Sequence, residues 1–286
     1  MAICRLVFAC FLLTVLTSNA APVPKNIPGP KNGPVGIKFV PLPKGTFYMG
    51  WNGTEGSAKK TEIQEDFEIA IHTVTQAQWQ DVMGKNPSFF SRNGAWKSAV
   101  EGMKDDDLKQ FPVEGVSWDD CQDFLKKLNE KENGNGWLYR LPSSAEWEYA
   151  CRGGATSVED CSYHFYFAKP TNDLSSKEAN INGQFPMGDG EKGPYLERPT
   201  KVGSYSPNSL GLFDMHGNVW QWCSDACGVG GRPPALINPP RVTRGGSYTC
   251  NGSGCMAASR SPGLPDVRFS SRGVRVVRIP LVSENK

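Results

Sequence analysis

Two cysteines in a glycine-rich stretch are the residues of this chain best suited to chemistry. Cys250 and Cys255 are separated by four residues in the run Gly245-Gly246-Ser247-Tyr248-Thr249-Cys250-Asn251-Gly252-Ser253-Gly254-Cys255. That spacing can close a small disulfide ring if the two Cα atoms come within about 7 Å of each other. From the residues alone, the pair is therefore a reactive site, a structural disulfide or two unrelated thiols.

Other common catalytic patterns are missing from the sequence. The three histidines, His72, His164 and His216, are far apart along the chain, which does not favour a zinc hydrolase. There is no nucleophile elbow, P-loop or strand–GxGxxG–helix pattern. Glu146 and Glu148 fall on a predicted capped helix, and we interpret them as structural.

The first twenty residues have the pattern of an export signal. Arg5 ends a positive region, Leu6 to Leu16 is apolar, and Ser18-Asn19-Ala20 resembles a cleavage site. We expect a cleaved signal peptide over 1–20 and a secreted or periplasmic protein. An uncleaved anchor is the alternative, but the apolar run is too short to span a bilayer, and no later segment reaches about 18 apolar residues.

Removing the signal peptide leaves seven cysteines, which are Cys121, Cys151, Cys161, Cys223, Cys227, Cys250 and Cys255. An exported compartment permits disulfides. Because seven is odd, at least one thiol stays free, binds metal or pairs with another chain. The pairing of the others stays open.

Composition excludes several classes of protein. The 286 residues include 31 glycines and 22 prolines without a Gly-X-Y period, so the chain is not collagen-like. Aromatic residues make up 10%, which argues against disorder. The formal net charge is +2 and there is no long basic block, so we expect no nucleic-acid partner.

Hydrophobic patterns predict a few short elements. Residues 37–42 and 46–49 resemble the two strands of a hairpin, and 65–71 alternates like another strand. Helices are predicted from Thr75 to Met83, from Ser117, and from Ser143, where Glu146 completes a capping box. After Arg152 there is no helical period, and the chain ends in the strand-like segment 273–279. We expect a leader over 21–36, one α+β domain over 37–280 and a tail over 281–286.

Several longer motifs resemble one known family. They are Val74-Thr75-Gln76-Ala77-Gln78-Trp79, Pro112-Val113-Glu114-Gly115-Val116-Ser117-Trp118, Arg140-Leu141-Pro142-Ser143-Ser144-Ala145-Glu146-Trp147-Glu148-Tyr149-Ala150, Gly211-Leu212-Phe213-Asp214-Met215-His216-Gly217-Asn218-Val219-Trp220-Gln221-Trp222, Arg244-Gly245-Gly246-Ser247-Tyr248 and Gly273-Val274-Arg275. In this order they are similar to the sulfatase-modifying factor family, the formylglycine-generating enzymes and their bacterial relatives. The resemblance implies the formylglycine-generating-enzyme variant of the C-type lectin fold, a single loop-rich domain.

The resemblance also implies a chemistry for the two cysteines. Active members of the family use molecular oxygen to convert a cysteine of a substrate protein to formylglycine, with copper(I) held by two cysteines that match Cys250 and Cys255. Soft thiolates suit copper(I) better than the hard divalent ions do. Cys250 is the discriminating residue, because the second cysteine also occurs in members of no known activity. Ser247 matches a serine of the active segment. Its hydroxyl either positions a thiolate or an oxygen species, or only stabilises the turn.

Calcium is the second metal that the resemblance implies. Asn180 and Ile181 match one calcium site, and Asp214, Gly217, Val219 and Gln221 match the other. Gln221 stands where the enzyme has glutamate, so one negative charge is lost and weaker binding is expected. The alternative is a turn held by Asn218 and the tryptophans without metal.

Two hypotheses of different classes follow. The first is an exported formylglycine-generating oxidase that acts on a cysteine of a sulfatase or another protein or peptide. The second is a non-catalytic, lectin-like binding module on the same fold. Met256 to Arg260 is shorter than in the vertebrate enzyme, and Val276 replaces a disulfide cysteine there, so that enzyme's bridges do not transfer to this chain.

Overall fold

The computed structural model describes residues 28–228 and 237–281. The helices of this part are α1 Gln76–Met83, α2 Asp105–Lys109, α3 Trp118–Lys131 and α4 Ser144–Cys151. The strands are β1 Lys31–Asn32, β2 Lys38–Leu42, β3 Gly45–Met49, β4 Lys59–Ile63, β5 Phe67–Ala70, β6 Trp137–Arg140, β7 Phe165–Tyr166, β8 Pro170–Thr171, β9 Trp220–Ala226, β10 Arg241–Arg244, β11 Arg260–Gly263, β12 Arg272–Gly273 and β13 Val277–Pro280. Most of the chain between α4 and β9 is loop.

The three predicted helices are confirmed at their N-termini. Thr75, Ser117 and Ser143 each cap a helix, and in each case the third helical residue completes a capping box. Gly84 ends α1 in the left-handed conformation. The sequence analysis missed α2, which has only five residues and buries a single leucine, Leu108.

The predicted hairpin is wrong in its pairing, although both strands exist. A five-stranded sheet has the order β1-β2-β5-β13-β6, and β3 pairs with β4 in a separate two-stranded sheet. In β2, Phe39 faces one apolar cluster while Val40 and Leu42 face the other. β2 is therefore buried on both faces, and it lies inside the sheet with β1 and β5 on its two sides.

A second sheet, of order β11-β10-β9-β12, supports the cysteine-containing segment. The predicted terminal strand 273–279 is divided between the two sheets. Gly273 ends β12 beside β9, and Val277 begins β13 in the five-stranded sheet. Between them, the buried Arg275 donates to the carbonyl of Ala70 in β5 at 2.7 Å and to Oε1 of Gln221 in β9 at 2.8 Å, and so joins the two sheets.

The sheet begins within the segment predicted as a leader. Lys31 pairs with Phe39, and Pro34 is buried in a short 3-10 turn. The predicted signal peptide lies outside the described residues, as do residues 21–27 and 282–286. Within the described part of the chain, no helix is long and apolar enough to cross a membrane.

A fully buried ion network ties α4 to β10. Glu148 accepts hydrogen bonds from Arg152 on its own helix, at 2.7 and 2.9 Å, and its second oxygen accepts from Arg244 at the end of β10. None of these three side chains is exposed to solvent. Since Arg244 directly precedes Gly245, the network fixes the point from which the cysteine-containing segment starts.

Candidate functional site

The cysteine loop, residues 245–255, starts with two glycines in left-handed conformations. Gly245 has φ +94° and Gly246 has φ +74°. A Cβ atom on Gly246 would overlap the sulfur of Cys255. Glycine at this position therefore lets the Cys255 thiol lie directly against the backbone of the turn.

Cys250 is half-buried and held on both sides. Its N–H donates to the carbonyl of Ser247 at 3.0 Å, and its own carbonyl accepts from the N–H of Asn182 at 2.8 Å. The hydrogen bond from the Cys255 thiol, with smaller help from Ser247, lowers the pKa of Cys250 to about 6, although burial opposes this shift. Cys250 is therefore a thiolate at neutral pH, the form that binds metals and attacks electrophiles.

Cys255 is fully buried at the end of a 3-10 turn, Gly252–Cys255. Asn251 caps this turn by accepting a hydrogen bond from the N–H of Gly254 at 3.0 Å. The hydrogen bond to Cys250 and burial raise the pKa of Cys255 well above its usual value. The structure therefore brings the two predicted cysteines together as a thiolate and a thiol. All seven cysteines of the described residues are free.

Ser247 lies beneath the thiolate. Its Oγ is 3.5 Å from the sulfur of Cys250 and 2.9 Å from Oγ1 of Thr249. It also accepts a hydrogen bond from the N–H of Thr249 at 3.3 Å. The hydroxyl has the contacts of both predicted roles, the turn and the thiolate partner.

The donor set fits copper(I). Two cysteines that pack in one cluster, one of them with its pKa lowered to about 6, suit a soft monovalent ion that accepts two ligands. Among residues 28–228 and 237–281, no three His, Cys, Asp or Glu side chains are grouped so as to hold a metal ion. Cys250 and Cys255 would be the ligands of a bound copper(I).

Asn180, the first predicted calcium residue, also has a contact pattern that fits a cation. It is buried, and its Nδ2 donates to the carbonyl of Arg198 at 3.0 Å. Its Oδ1 is buried without a hydrogen-bond partner in the described structure. An unpaired buried carbonyl oxygen is costly, and a hard cation such as calcium would satisfy it. Ile181 follows with its side chain in the core, so its backbone carbonyl is the group it could contribute.

Gln221, in the second predicted calcium set, does not fit. Its Oε1 accepts hydrogen bonds from Trp147 Nε1 at 2.7 Å and Arg275 Nε at 2.8 Å. Its Nε2 donates to the carbonyl of Asp214 at 2.8 Å. Both oxygen lone pairs are therefore occupied by donors, and the guanidinium of Arg275 already supplies a positive charge at this point.

The rest of that second set is compactly packed. Asp214 is buried, which raises its pKa to about 6, and its carboxylate accepts from the N–H of Gly203 at 2.9 Å. Gly217 has φ +80°, and a Cβ there would strike the carbonyl of Asn180, so the two predicted calcium sets adjoin. Val219 is fully buried. Asp214 is the one member of the second set with a carboxylate.

Sequence reasoning missed one residue that contacts the site. The wide spacing of the three histidines gives no sign that His216 belongs to the site, yet its Nδ1 lies 2.8 Å from the carbonyl oxygen of Cys255. Burial lowers the pKa of His216 to about 4, so the ring is neutral. Its place in the Gly211–Trp222 motif was the available signal, but nothing local indicated its partner.

Exposed apolar side chains border the cysteine loop. Trp96 packs on Phe90, with ring centroids 4.9 Å apart, and Phe90 packs edge-on against Tyr248 of the loop at 5.7 Å. The carbonyl of Phe185 accepts a hydrogen bond from the loop backbone at 2.8 Å. Trp96, Phe185 and the nearby Phe269 are 44%, 58% and 45% exposed.

Fold and site together define a loop-built α+β domain with a paired-cysteine loop, and the comparisons with known proteins agree. Residues 28–280 match the family described as "Sulfatase-modifying factor enzyme 1-like domain". The chain belongs to this family, as its motifs predicted. It is 29% identical to the formylglycine-generating enzyme of Mus musculus, covering 87% of this chain and 78% of that protein.

Two further relatives span the range of the family. The formylglycine-generating enzyme of Streptomyces coelicolor is 32% identical, covering 72% of this chain and 66% of that protein. A protein of Bos taurus named "Inactive C-alpha-formylglycine-generating enzyme 2" is 25% identical, covering 84% of this chain and 87% of that protein. Family membership is therefore compatible with both an active and an inactive protein.

Solved structures confirm the predicted fold. Treponema denticola variable protein 1 superposes with a TM-score of 0.66 at 26% identity, covering 87% of this chain and 99% of that chain. PvdO from Pseudomonas aeruginosa superposes with a TM-score of 0.63 at 22% identity, covering 89% and 99%. The architecture is the formylglycine-generating-enzyme variant of the C-type lectin fold, in a single domain.

Proposed function

We propose that this protein is an exported formylglycine-generating oxidase that uses molecular oxygen and copper(I) to convert a cysteine of a sulfatase or similar protein to formylglycine. The observation that carries the proposal is the thiolate–thiol pair of Cys250 and Cys255 in a partly accessible loop. Bound copper(I) would supply the activation of oxygen. A balanced reaction consumes the substrate thiol, dioxygen and two thiols of an external reductant, and releases the aldehyde, hydrogen sulfide, water and one disulfide.

The chain's own groups have separate tasks in this proposal. Cys250 and Cys255 hold the metal, and Cys255 gives up its proton when it becomes a ligand. Ser247 orients the Cys250 sulfur through its hydroxyl. The apolar side chains beside the loop support a polypeptide substrate, because they offer contact area to residues on either side of a substrate cysteine. A structural calcium would be held by Asn180 Oδ1 and the Ile181 carbonyl, without Gln221.

A titration with copper(I) and a peptide assay test the proposal together. Wild type, Cys250→Ser and the control Cys227→Ser, which changes another half-buried cysteine, are titrated with copper(I) in competition with a chelator. Each is then incubated with a sulfatase-motif peptide, oxygen and a thiol reductant, and the peptide mass is measured. We expect binding and conversion in wild type and Cys227→Ser only. An unchanged peptide in the presence of fully copper-loaded wild type would refute the oxidase proposal.

A binding module without catalysis is the second candidate, and the inactive relative favours it. On this alternative the apolar side chains around the loop recognise a ligand, and the thiols are incidental. Peptide binding that is equal in wild type and Cys250→Ser, with no mass change in either, would be its signature.

A further inference from the structure

His216 is buried directly behind Cys255. Its Nδ1 lies 2.8 Å from the Cys255 carbonyl oxygen, and its Nε2 accepts a hydrogen bond from the N–H of Tyr166 at 2.9 Å. The sulfur of Cys151 is 3.6 Å from the same Nε2. Phe165 packs edge-on against the ring, with centroids 5.4 Å apart.

These contacts determine which nitrogen carries the proton. A backbone N–H can only donate, so the Nε2 that faces Tyr166 must be an unprotonated acceptor. The proton of the neutral ring is then on Nδ1, which donates to the carbonyl of Cys255. The ring thus connects β7 to the last residue of the 3-10 turn.

Both cysteines contact Ser247, but their other partners differ. Cys250 is held from its own loop by Ser247 and from the neighbouring loop by Asn182. The backbone carbonyl of Cys255 is held by the ring of His216, and the Cys255 sulfur lies 4.0 Å from the carbonyl oxygen of Ser247. Because the His216 ring bonds the backbone of Cys255, a change at His216 should move Cys255 more than Cys250.

We propose that His216 is the positioning residue for Cys255, and that its Nδ1–H keeps the Cys255 sulfur in reach of Cys250. The expected effect of His216 on copper(I) affinity rests on the proposed function. The expected effect on the position of Cys255 relative to Cys250 is independent of that function, because it needs no metal.

A matched pair of substitutions separates the two hydrogen bonds of the ring. His216→Asn puts an amide N–H near the position of Nδ1 and keeps the donor to Cys255. His216→Gln puts an amide oxygen near the position of Nε2, which keeps the acceptor for Tyr166 but removes the donor to Cys255. Both variants lose the same ring packing, so their difference reports the bond to Cys255.

The first readout is disulfide formation against glutathione disulfide, which is reduced to two glutathione molecules as the Cys250–Cys255 bond forms. We expect the equilibrium constant to fall about tenfold in His216→Gln and to stay near wild type in His216→Asn. Copper(I) affinity should fall about tenfold in His216→Gln only. Equal losses in both variants, or none in either, would overturn the proposal.

Two outcomes keep the inference separate from the proposed function. If wild type binds no copper(I), the oxidase fails while the disulfide equilibrium still decides the role of His216. If neither variant folds, ¹⁵N NMR of the wild-type ring decides, since the proposal requires a protonated Nδ1 and a bare Nε2 between pH 6 and 8. The opposite tautomer would exclude a bond from Nδ1 to Cys255.

Discussion

The acidity of Cys250 depends on its neighbour more than on any charged group. The hydrogen bond from the Cys255 thiol lowers the pKa of Cys250 most. The hydroxyl and the backbone of Ser247 lower it further. The same bond raises the pKa of Cys255. One sulfur is thus prepared as a thiolate, while the other keeps its proton until a metal displaces it.

Alkylation of Cys250 should follow this acidity. Because the thiolate is the reactive form, its rate with iodoacetamide should rise with pH around a midpoint near pH 6, the pKa of Cys250. In Cys255→Ala the donor is lost, and the midpoint should move up towards that of an ordinary cysteine. Peptide mass spectrometry at a series of pH values measures both midpoints. The same midpoint in both proteins would contradict the assigned cause.

Glu114 provides a second test at the residue scale. Its carboxylate is buried, and one oxygen accepts from the N–H of Phe90 at 2.9 Å. The other oxygen has no partner in the described part of the chain. Burial raises the pKa of Glu114 from 4.5 to about 8, so the folded protein holds this proton more tightly than the unfolded chain does.

The sign of the pH effect follows from that difference. Between about pH 4.5 and pH 8 the folded state binds more protons at Glu114, so this residue makes stability fall as pH rises. Glu114→Gln removes the titration and should gain stability relative to wild type by up to about 1.4 kcal/mol per pH unit in this window. Urea denaturation of wild type and Glu114→Gln at pH 5 and pH 8 gives the difference in their free energies of unfolding at each pH. A difference that does not change with pH would show that Glu114 is ionised in the folded protein.

At the scale of elements, the start of the cysteine loop depends on a glycine without a side chain. Gly246→Ala adds a Cβ at φ +74° that overlaps the Cys255 sulfur, whereas Gly211→Ala adds one at φ +78° into open space. Each substitution should lower the free energy of unfolding by about 1 kcal/mol, because alanine is strained in the left-handed conformation. Gly246→Ala should lower it further, as measured by denaturation. It should also separate the two thiols, which the pH dependence of Cys250 alkylation would show. Equal losses of stability in the two variants would mean that the loop shifts to make room for the added Cβ.

Predictions of elements succeeded where the signals are local. Thr75, Ser117 and Ser143 cap helices with residues only three positions away, so sequence alone located these N-termini. The hairpin prediction failed because β2 pairs with β5, and β3 and β4 lie between these two strands in the sequence. The prediction of one terminal strand failed because Gly273 and Val277 pair in different sheets, with Arg275 bonded to both sheets between them.

At the scale of the whole molecule, the Glu148 network joins α4 to β10 through buried charges. Glu148→Gln would leave two buried guanidinium groups without a carboxylate, at a cost of about 3–5 kcal/mol in the free energy of unfolding. Glu191→Gln, which breaks an exposed pair with Lys177, should leave that free energy unchanged. Urea denaturation of both variants makes the comparison. Similar stabilities would mean that water reaches the network.

The sequence by itself determined the family, the fold class, the starts of α1, α3 and α4, and the two cysteines, because motifs and caps are read from neighbouring residues. Only the tertiary structure decided which side chains meet. His216 and Cys255 are 39 positions apart, and Gln221 and Arg275 are 54 apart. The His216–Cys255 contact places a histidine beside the thiol pair. The bond from Arg275 occupies the side-chain oxygen of Gln221, a predicted calcium ligand. Contacts between distant residues depend on how the loops pack against the two sheets, and no local pattern encodes that packing.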